Sequence, residues 1–245
     1  MATEPQLVLG NQEAVSDEIS HAQLEVAKSG HGRPESERIR NANLSCTRSR
    51  RGTVELTIEK SDGSTFSPEA GGEQRKTATI QVVLDGYSAQ LTAGNFTKLV
   101  IDGAYDGARL SRTDQAVLTE NSLDKIGYNI PLEIMPSGQF EPLYRTTLSV
   151  QDGELPVLPL SVYGAVAMAH SEDSEDYSAP YQFFFYLYDK RNAGLGGLSF
   201  DEGQFSVFGY TTVGKDILPQ IKTGDVIRST KLIQGQDRLI LPNEN

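Results

Sequence analysis

The sequence predicts a mainly β protein, a closed antiparallel barrel capped by two short α-helices. Three observations carry that reading. Runs with a two-residue apolar period recur from Gly52 onward. Segments rich in Gly, Ser, Asp and Pro separate those runs. Only two short stretches of the same region carry a helical period.

"GTVELTIEK" turns Val54, Leu56 and Ile58 to one face, and "TATIQVVLDG" does the same with Ala78, Ile80 and Val82. The turn-rich "SDGSTFSPEAGGEQRK" lies between them, so the two read as neighbouring antiparallel strands. "LTAGNFTKLVIDG" places Phe96, Leu99 and Val100 on one helical face, with Thr92 as N-cap and Gly103 as the stop. Further strands are "ARLSRTDQAVL", "GAVAMAH", "YQFFFYLYD", "QFSVFGYTTV" and "VIRSTKLI". "GKDILPQIKTGD" reads as the second helix, with Ile217 and Ile221 on one face and Pro219 tolerated in its first turns. Many short strands with two short helices imply a barrel with helical caps.

The first fifty residues differ. Val15, Ile19, Ala22 and Val26 form one face of a short amphipathic helix over residues 14–29. The arginine-rich "HGRPESERIRNANLSCTRSRR" that follows has no period and reads as a disordered arm. The expected division is therefore an arm over 1–51 and a barrel domain over 52–245, with a long insertion at about 122–160.

Composition removes several function classes. The net charge of -11 argues against nucleic acid, whose affinity depends on neutralising phosphates. No run approaches the ~20 apolar residues of a membrane span. Cys46 is the single cysteine, which rules out an intramolecular disulfide. His21, His31 and His170 lack ligand spacing, so no metal or other cofactor is expected. "MATEPQLVLGNQEA" has no charged region followed by an apolar one, so no targeting segment is visible. "AGLGGLS" lacks the spacing of a phosphate loop, and "HSEDSEDY" reads as a solvated acidic turn rather than a calcium loop. Asn43 and Asn95 begin glycosylation sequons.

Five blocks stand in a fixed order: "AQLTAGNFTKLVIDGAYDG", "ARLSRTDQAVL", "GAVAMAH", "YQFFFYL" and "FSVFGYTTVGKDILPQIKTGD". This order resembles the cyclophilins, the peptidyl-prolyl cis-trans isomerases, over roughly Thr77 to Ile233. "GTVELTIEKSDGSTFSPEAGG" and the long segment from Tyr128 to His170 look like the plant thylakoid-lumen branch, whose members also carry an N-terminal helical domain.

The resemblance implies a site. Arg112 matches the family's catalytic arginine, Gln182 the glutamine that binds substrate backbone, and Phe184 the floor of the proline pocket. Val117 and Leu118 fall on a Phe–Met pair, and Ala169 and His170 on an Ala–Asn backbone clamp. The second glutamine falls on Glu120. Phe205 replaces the pocket histidine, and Phe200 stands near the position of a tryptophan that this chain lacks. These departures imply a pocket that is still apolar but has fewer polar contacts, hence weaker isomerase activity. The alternative they leave open is a degenerate binding module acting as chaperone or scaffold. Implied partners are proline-containing protein segments, among them photosystem or other thylakoid proteins. The implied compartment is the thylakoid lumen and the implied state a monomer.

Phe183, Phe184 and Phe185 sharpen the expectation. Strand alternation sends Phe183 and Phe185 into the barrel with Tyr181 and Leu187, and Gln182, Phe184 and Tyr186 to the other face.

Overall fold

A computed structural model describes residues 51–67, 74–120, 128–172 and 174–236. The helix expected over 14–29 and the arm that follows lie outside them, apart from Arg51, which opens the first strand.

The strands are β1 (Arg51–Glu59), β2 (Thr77–Asp85), β3 (Leu110–Arg112), β4 (Ala116–Thr119), β5 (Ile130–Pro131), β6 (Glu133–Ile134), β7 (Leu143–Tyr144), β8 (Ala165–His170), β9 (Tyr177–Tyr186), β10 (Val207–Val213) and β11 (Val226–Gln234). One α-helix, α1 (Gln90–Ile101), follows β2. The main sheet is antiparallel in the order β11-β1-β2-β10-β8-β9-β4-β3. It curls until its two edges meet. Arg109 bridges Val226, and the Leu110 amide donates to the Asp225 carbonyl at 2.8 Å. Closure is thus a short seam rather than a full ladder.

The β1–β2 pair stands as the alternation requires, with Val54 opposite Val82, Leu56 opposite Ile80 and Ile58 opposite Ala78. Val54, Leu56, Ile58, Ile80 and Val82 are fully buried. Their partners inside the barrel are Val166, Met168, Phe183, Phe185, Phe208 and Ile227, together with Phe96 and Val100 from α1. At the centre Phe96 lies against Phe183 edge-on (5.1 Å, 81°) and against Tyr105 and Phe208 at 5.3 and 4.9 Å. Such tilted and edge-on contacts are the favoured aromatic geometries. Two glycines are fixed by close approach. A Cβ on Gly209 would stand 2.6 Å from the Val83 carbonyl, and one on Gly214, at φ +77°, would stand 2.5 Å from that of Thr79.

The helix begins earlier than expected. Its N-cap is Ala89, which supplies no side-chain cap. Thr92 therefore sits inside the first turn, and the free amides there find a partner from the insertion. Glu133 of β6 accepts from the Leu91 and Thr92 amides at 3.1 and 2.8 Å and from the Thr92 hydroxyl at 2.8 Å. A carboxylate suits this position, where the helix dipole is positive. Gly103, at φ +68°, follows the C-cap Asp102 and ends the helix where expected.

Burial nonetheless pushes the Glu133 carboxyl above its ordinary value of 4.5, against the pull of those hydrogen bonds. A folded value above the unfolded one favours the protonated form in the native state. The contribution is therefore fully present below the unfolded value and is lost as pH rises through the raised one. Urea titrations of wild type and Glu133→Gln at several pH values should show wild type losing stability relative to the variant as pH climbs from 4.5. A constant difference would contradict this.

Two expectations are corrected. "ARLSRTDQAVL" is a hairpin, β3 and β4, not one strand. The Thr113 hydroxyl accepts from the Ala116 amide at 3.0 Å, and the Thr113 amide donates to the Ala116 carbonyl at 2.9 Å, turning the chain. The second helix is only a single 3-10 turn, Leu218–Gln220. Pro219 has no amide to donate, the chain is extended again at Ile221, and the Lys222 amide is taken by the Asp225 carboxylate at 2.8 Å.

Of the insertion, β5 pairs with β9, β6 pairs with β7, and Leu132, Ile134 and Leu148 form a small separate cluster.

Candidate active site

The outer face of β4, β9 and β8 carries a second apolar cluster. Phe184 lies between Leu118 on β4 and Ala167 on β8. Leu160, Ala165, Tyr186 and Val207 are buried with it, and Ala169 and Phe205 pack on its margin. Phe183 and Phe185 face the opposite way, into the barrel. The expected alternation holds. Phe205 joins the predicted residues physically: its ring is 5.2 Å from Phe184, edge-on, and 4.5 Å from His170. The His170 Nδ1 is buried and has no hydrogen-bond partner among the described residues.

Leu160 is held over this face by Glu202. That carboxylate accepts from the Leu160 and Ser161 amides at 2.7 Å each, and from the Ser161 hydroxyl. Phe184, in the same cluster as Leu160, is 5% exposed. Gln182 stands half-buried on the same face, two residues earlier in β9.

Arg112 occupies a different place. It pairs across the hairpin with Val117. Val117 is fully buried and belongs to the interior core, so it does not line the outer face with Leu118. The alternation that brings Leu118 beside Phe184 necessarily turns Val117 inward. The Arg112 guanidinium donates from Nη1 to the Leu218 carbonyl at 3.0 Å and approaches that of Ile221 at 3.5 Å. Its backbone amide donates to the Thr223 hydroxyl at 2.9 Å.

A cavity of about 660 Å³ opens beside this guanidinium, lined among others by Tyr163, Tyr186, Phe200, Asp201 and Pro219. Phe200 is 81% exposed, with its ring against Gly194. It therefore belongs with Arg112 rather than with Phe184. Tyr186 links the two regions: its ring is 6.5 Å from Phe184, and its hydroxyl is 2.6 Å from that of Ser199. Burial pushes the Tyr163 and Tyr186 phenols up, against the opposing pull of Arg112 on Tyr163 and of the Ser199 hydrogen bond on Tyr186. Both remain neutral donors at physiological pH. Glu120 lies at the end of β4, where its amide donates to the Arg109 carbonyl at 2.8 Å.

The region thus has two parts joined through Tyr186: an aromatic cluster around Phe184, and a cavity that holds the Arg112 cation and neutral phenols. Amide-bond rotation needs no more than an apolar seat and preorganised donors. The family model for cyclophilin type peptidyl-prolyl cis-trans isomerases matches residues 73–239. The chain belongs to that family.

This cyclophilin-type chain is 78% identical over 196 residues to the chloroplastic peptidyl-prolyl cis-trans isomerase CYP37 of Arabidopsis thaliana, covering 80% of this chain and 42% of that protein. It is 34% identical over 207 residues to a putative thylakoid lumen peptidyl-prolyl cis-trans isomerase of Synechocystis, covering 79% and 50%. It is also 34% identical over 178 residues to the chloroplastic isomerase CYP38 of Arabidopsis thaliana, covering 67% and 40%. The chain spans about half the length, or less, of the curated relatives it matches.

Sequence reasoning missed Tyr163, Asp201 and Glu202. Glu202 could have been suspected from its carboxyl in an otherwise turn-forming "FDEGQF", but its partners lie some forty residues away.

Proposed function

We propose that this chain is a peptidyl-prolyl cis-trans isomerase of low turnover that acts on X–Pro bonds of protein segments in the thylakoid lumen. The observation that carries the reading is Arg112: a guanidinium anchored by one nitrogen to the Leu218 carbonyl, beside a cavity that also holds Tyr186 and Phe200. Its other nitrogens are left to donate to a prolyl nitrogen as the amide twists and loses planarity. A donor stronger for the twisted state than for the planar one lowers the ~18–20 kcal/mol rotational barrier. The cluster of Phe184, Phe205 and Leu118, joined to the Arg112 cavity only through Tyr186, would seat the ring, which requires the substrate to bridge the two parts; Gln182 and the Ala169–His170 segment would hold the flanking peptide. The compartment is supported by the chloroplastic and thylakoid-lumen names of the relatives.

Low turnover follows from the cover over Phe184 and from the loss of Val117 to the core. In a proline-switch assay, Arg112→Ala is expected to reduce kcat/KM by about a hundredfold or more, the scale of losing one preorganised donor. Equal rates for the two proteins would remove catalysis from this site.

A second reading rests on the same burial of Phe184. If the proline seat stays closed, the domain acts as a chaperone or scaffold for photosystem or other thylakoid proteins. Retention of a partner by Arg112→Ala, with no isomerase rate in wild type, would favour it.

A further inference from the structure

We propose that the buried Lys60–Asp225 pair is the positioning device for Arg112, acting through the 3-10 turn Leu218–Gln220. The proposal rests on the isomerase reading above. Lys60 and Asp225 lie 2.8 Å apart with side chains 2% and 1% exposed. Neither residue lines the cavity beside Arg112. A buried ion pair is often no more stabilising than apolar residues of the same size. Its usefulness here lies in what else it holds.

Two cations converge on carbonyls of one short stretch. The Lys60 ammonium donates to the Gln220 carbonyl, and Arg112 Nη1 donates to that of Leu218. A single 3-10 turn gives the Leu218 carbonyl only a long bond from the Ile221 amide, 3.3 Å, and does not continue to the next turn as a helix would, so side-chain donors complete the set. The turn whose Leu218 carbonyl orients the guanidinium is therefore held by Lys60 at its other end, the Gln220 carbonyl. Lys60 is fixed in turn by Asp225 and by the ring of Phe66, 4.6 Å below the ammonium. The second Asp225 link runs through the backbone. Its carboxylate also takes the Lys222 and Ser61 amides at 2.8 and 3.2 Å, while its carbonyl accepts from Leu110, two residues before Arg112, at 2.8 Å. Gly224 donates to the Leu110 carbonyl at 2.8 Å, and Thr223 receives the Arg112 amide. One buried residue thus touches both: its carboxylate holds Lys60 and the Lys222 amide beside the turn, and its carbonyl holds the strand that carries Arg112. Loosening such support by a fraction of an ångström lowers the rate of the twisted state without weakening peptide binding.

The test compares the full chain with the double variant Lys60→Met/Asp225→Asn, which removes both charges at similar volume, in a proline-switch assay. The expected result is a fall in kcat of about tenfold with KM unchanged, and, when Arg112→Ala is added, little loss beyond that of Arg112→Ala alone. A kcat within about twofold of wild type, or a loss that adds in full to that of Arg112→Ala, overturns the proposal. Should the double variant not fold, Lys60→Arg decides, because it keeps the ion pair but moves the donor relative to the Gln220 carbonyl. A reduced kcat at unchanged KM supports the proposal and an unchanged kcat overturns it. A wild type without isomerase activity refutes the enzymatic reading instead. Nitrogen NMR of Arg112 then carries the test: resolved Nη signals should collapse in the double variant, and their persistence there would overturn positioning by the pair.

Discussion

Phe183→Ala is expected to lower the unfolding free energy by about 3–5 kcal/mol, the usual cost of emptying a large aromatic site in a core. Phe183 is fully buried and makes edge-on contacts to Phe96, Tyr105 and Phe185 at 5.1, 5.1 and 5.6 Å. It joins β9 to α1, so the surrounding rings cannot close the void without moving the helix. For a domain of this size each kcal/mol corresponds to about 2–4 °C in Tm. Urea denaturation and a thermal melt would both show the loss. A change under about 1 kcal/mol would mean that the aromatic cluster repacks freely, contrary to the density expected of an interior.

Asp225→Asn should be nearly as severe, at about 3–5 kcal/mol, because it strands the Lys60 ammonium in the interior. Lys60 keeps only the Gln220 carbonyl and the face of Phe66 for company. The physical signature is asymmetry: the single variant should be less stable than Lys60→Met/Asp225→Asn, which buries no unpaired charge. Chemical denaturation of the three proteins measures this directly. If the double variant proved less stable than Asp225→Asn, the Gln220 carbonyl and the Phe66 ring would suffice to hold the ammonium and the stranded charge would not dominate.

Side-chain alternation made most of the barrel legible. The inward sets of β1 and β2, and the opposed faces of Phe183 and Phe184, follow from a period of two that burial enforces on each strand. The cluster around Phe184 was legible for the same reason, since Leu118, Ala169 and Phe205 reach it from neighbouring strands or their ends, with His170 against Phe205. Where the reading departed, the cause was a contact with no local signal. Residues 214–225 have a helical period, but the helix stops after one turn: the Leu218 carbonyl is shared between the Ile221 amide and Arg112, and the Gln220 carbonyl goes to Lys60. Thr92 looks like a cap, yet the capping carboxylate comes from Glu133. Val117 was assigned to the pocket by its position in a motif, whereas its cross-strand pairing with Arg112 and Phe185 places it in the core. The partner of the Arg112 guanidinium is a backbone carbonyl, and every residue has one, so residue identity could not announce it.

The pairing of β1 with β11 has a mechanical consequence. Thr53 near the start of the first strand lies opposite Gln234 at the end of the last. A pull applied through both ends of the barrel therefore acts at one corner and across the strands. The β1–β11 hydrogen bonds would break one after another, like a zip, rather than together in shear. Tension from whatever is attached to either end would open the barrel at that strand pair first, on the far side of the sheet order from Phe184 and its neighbours on β4 and β8.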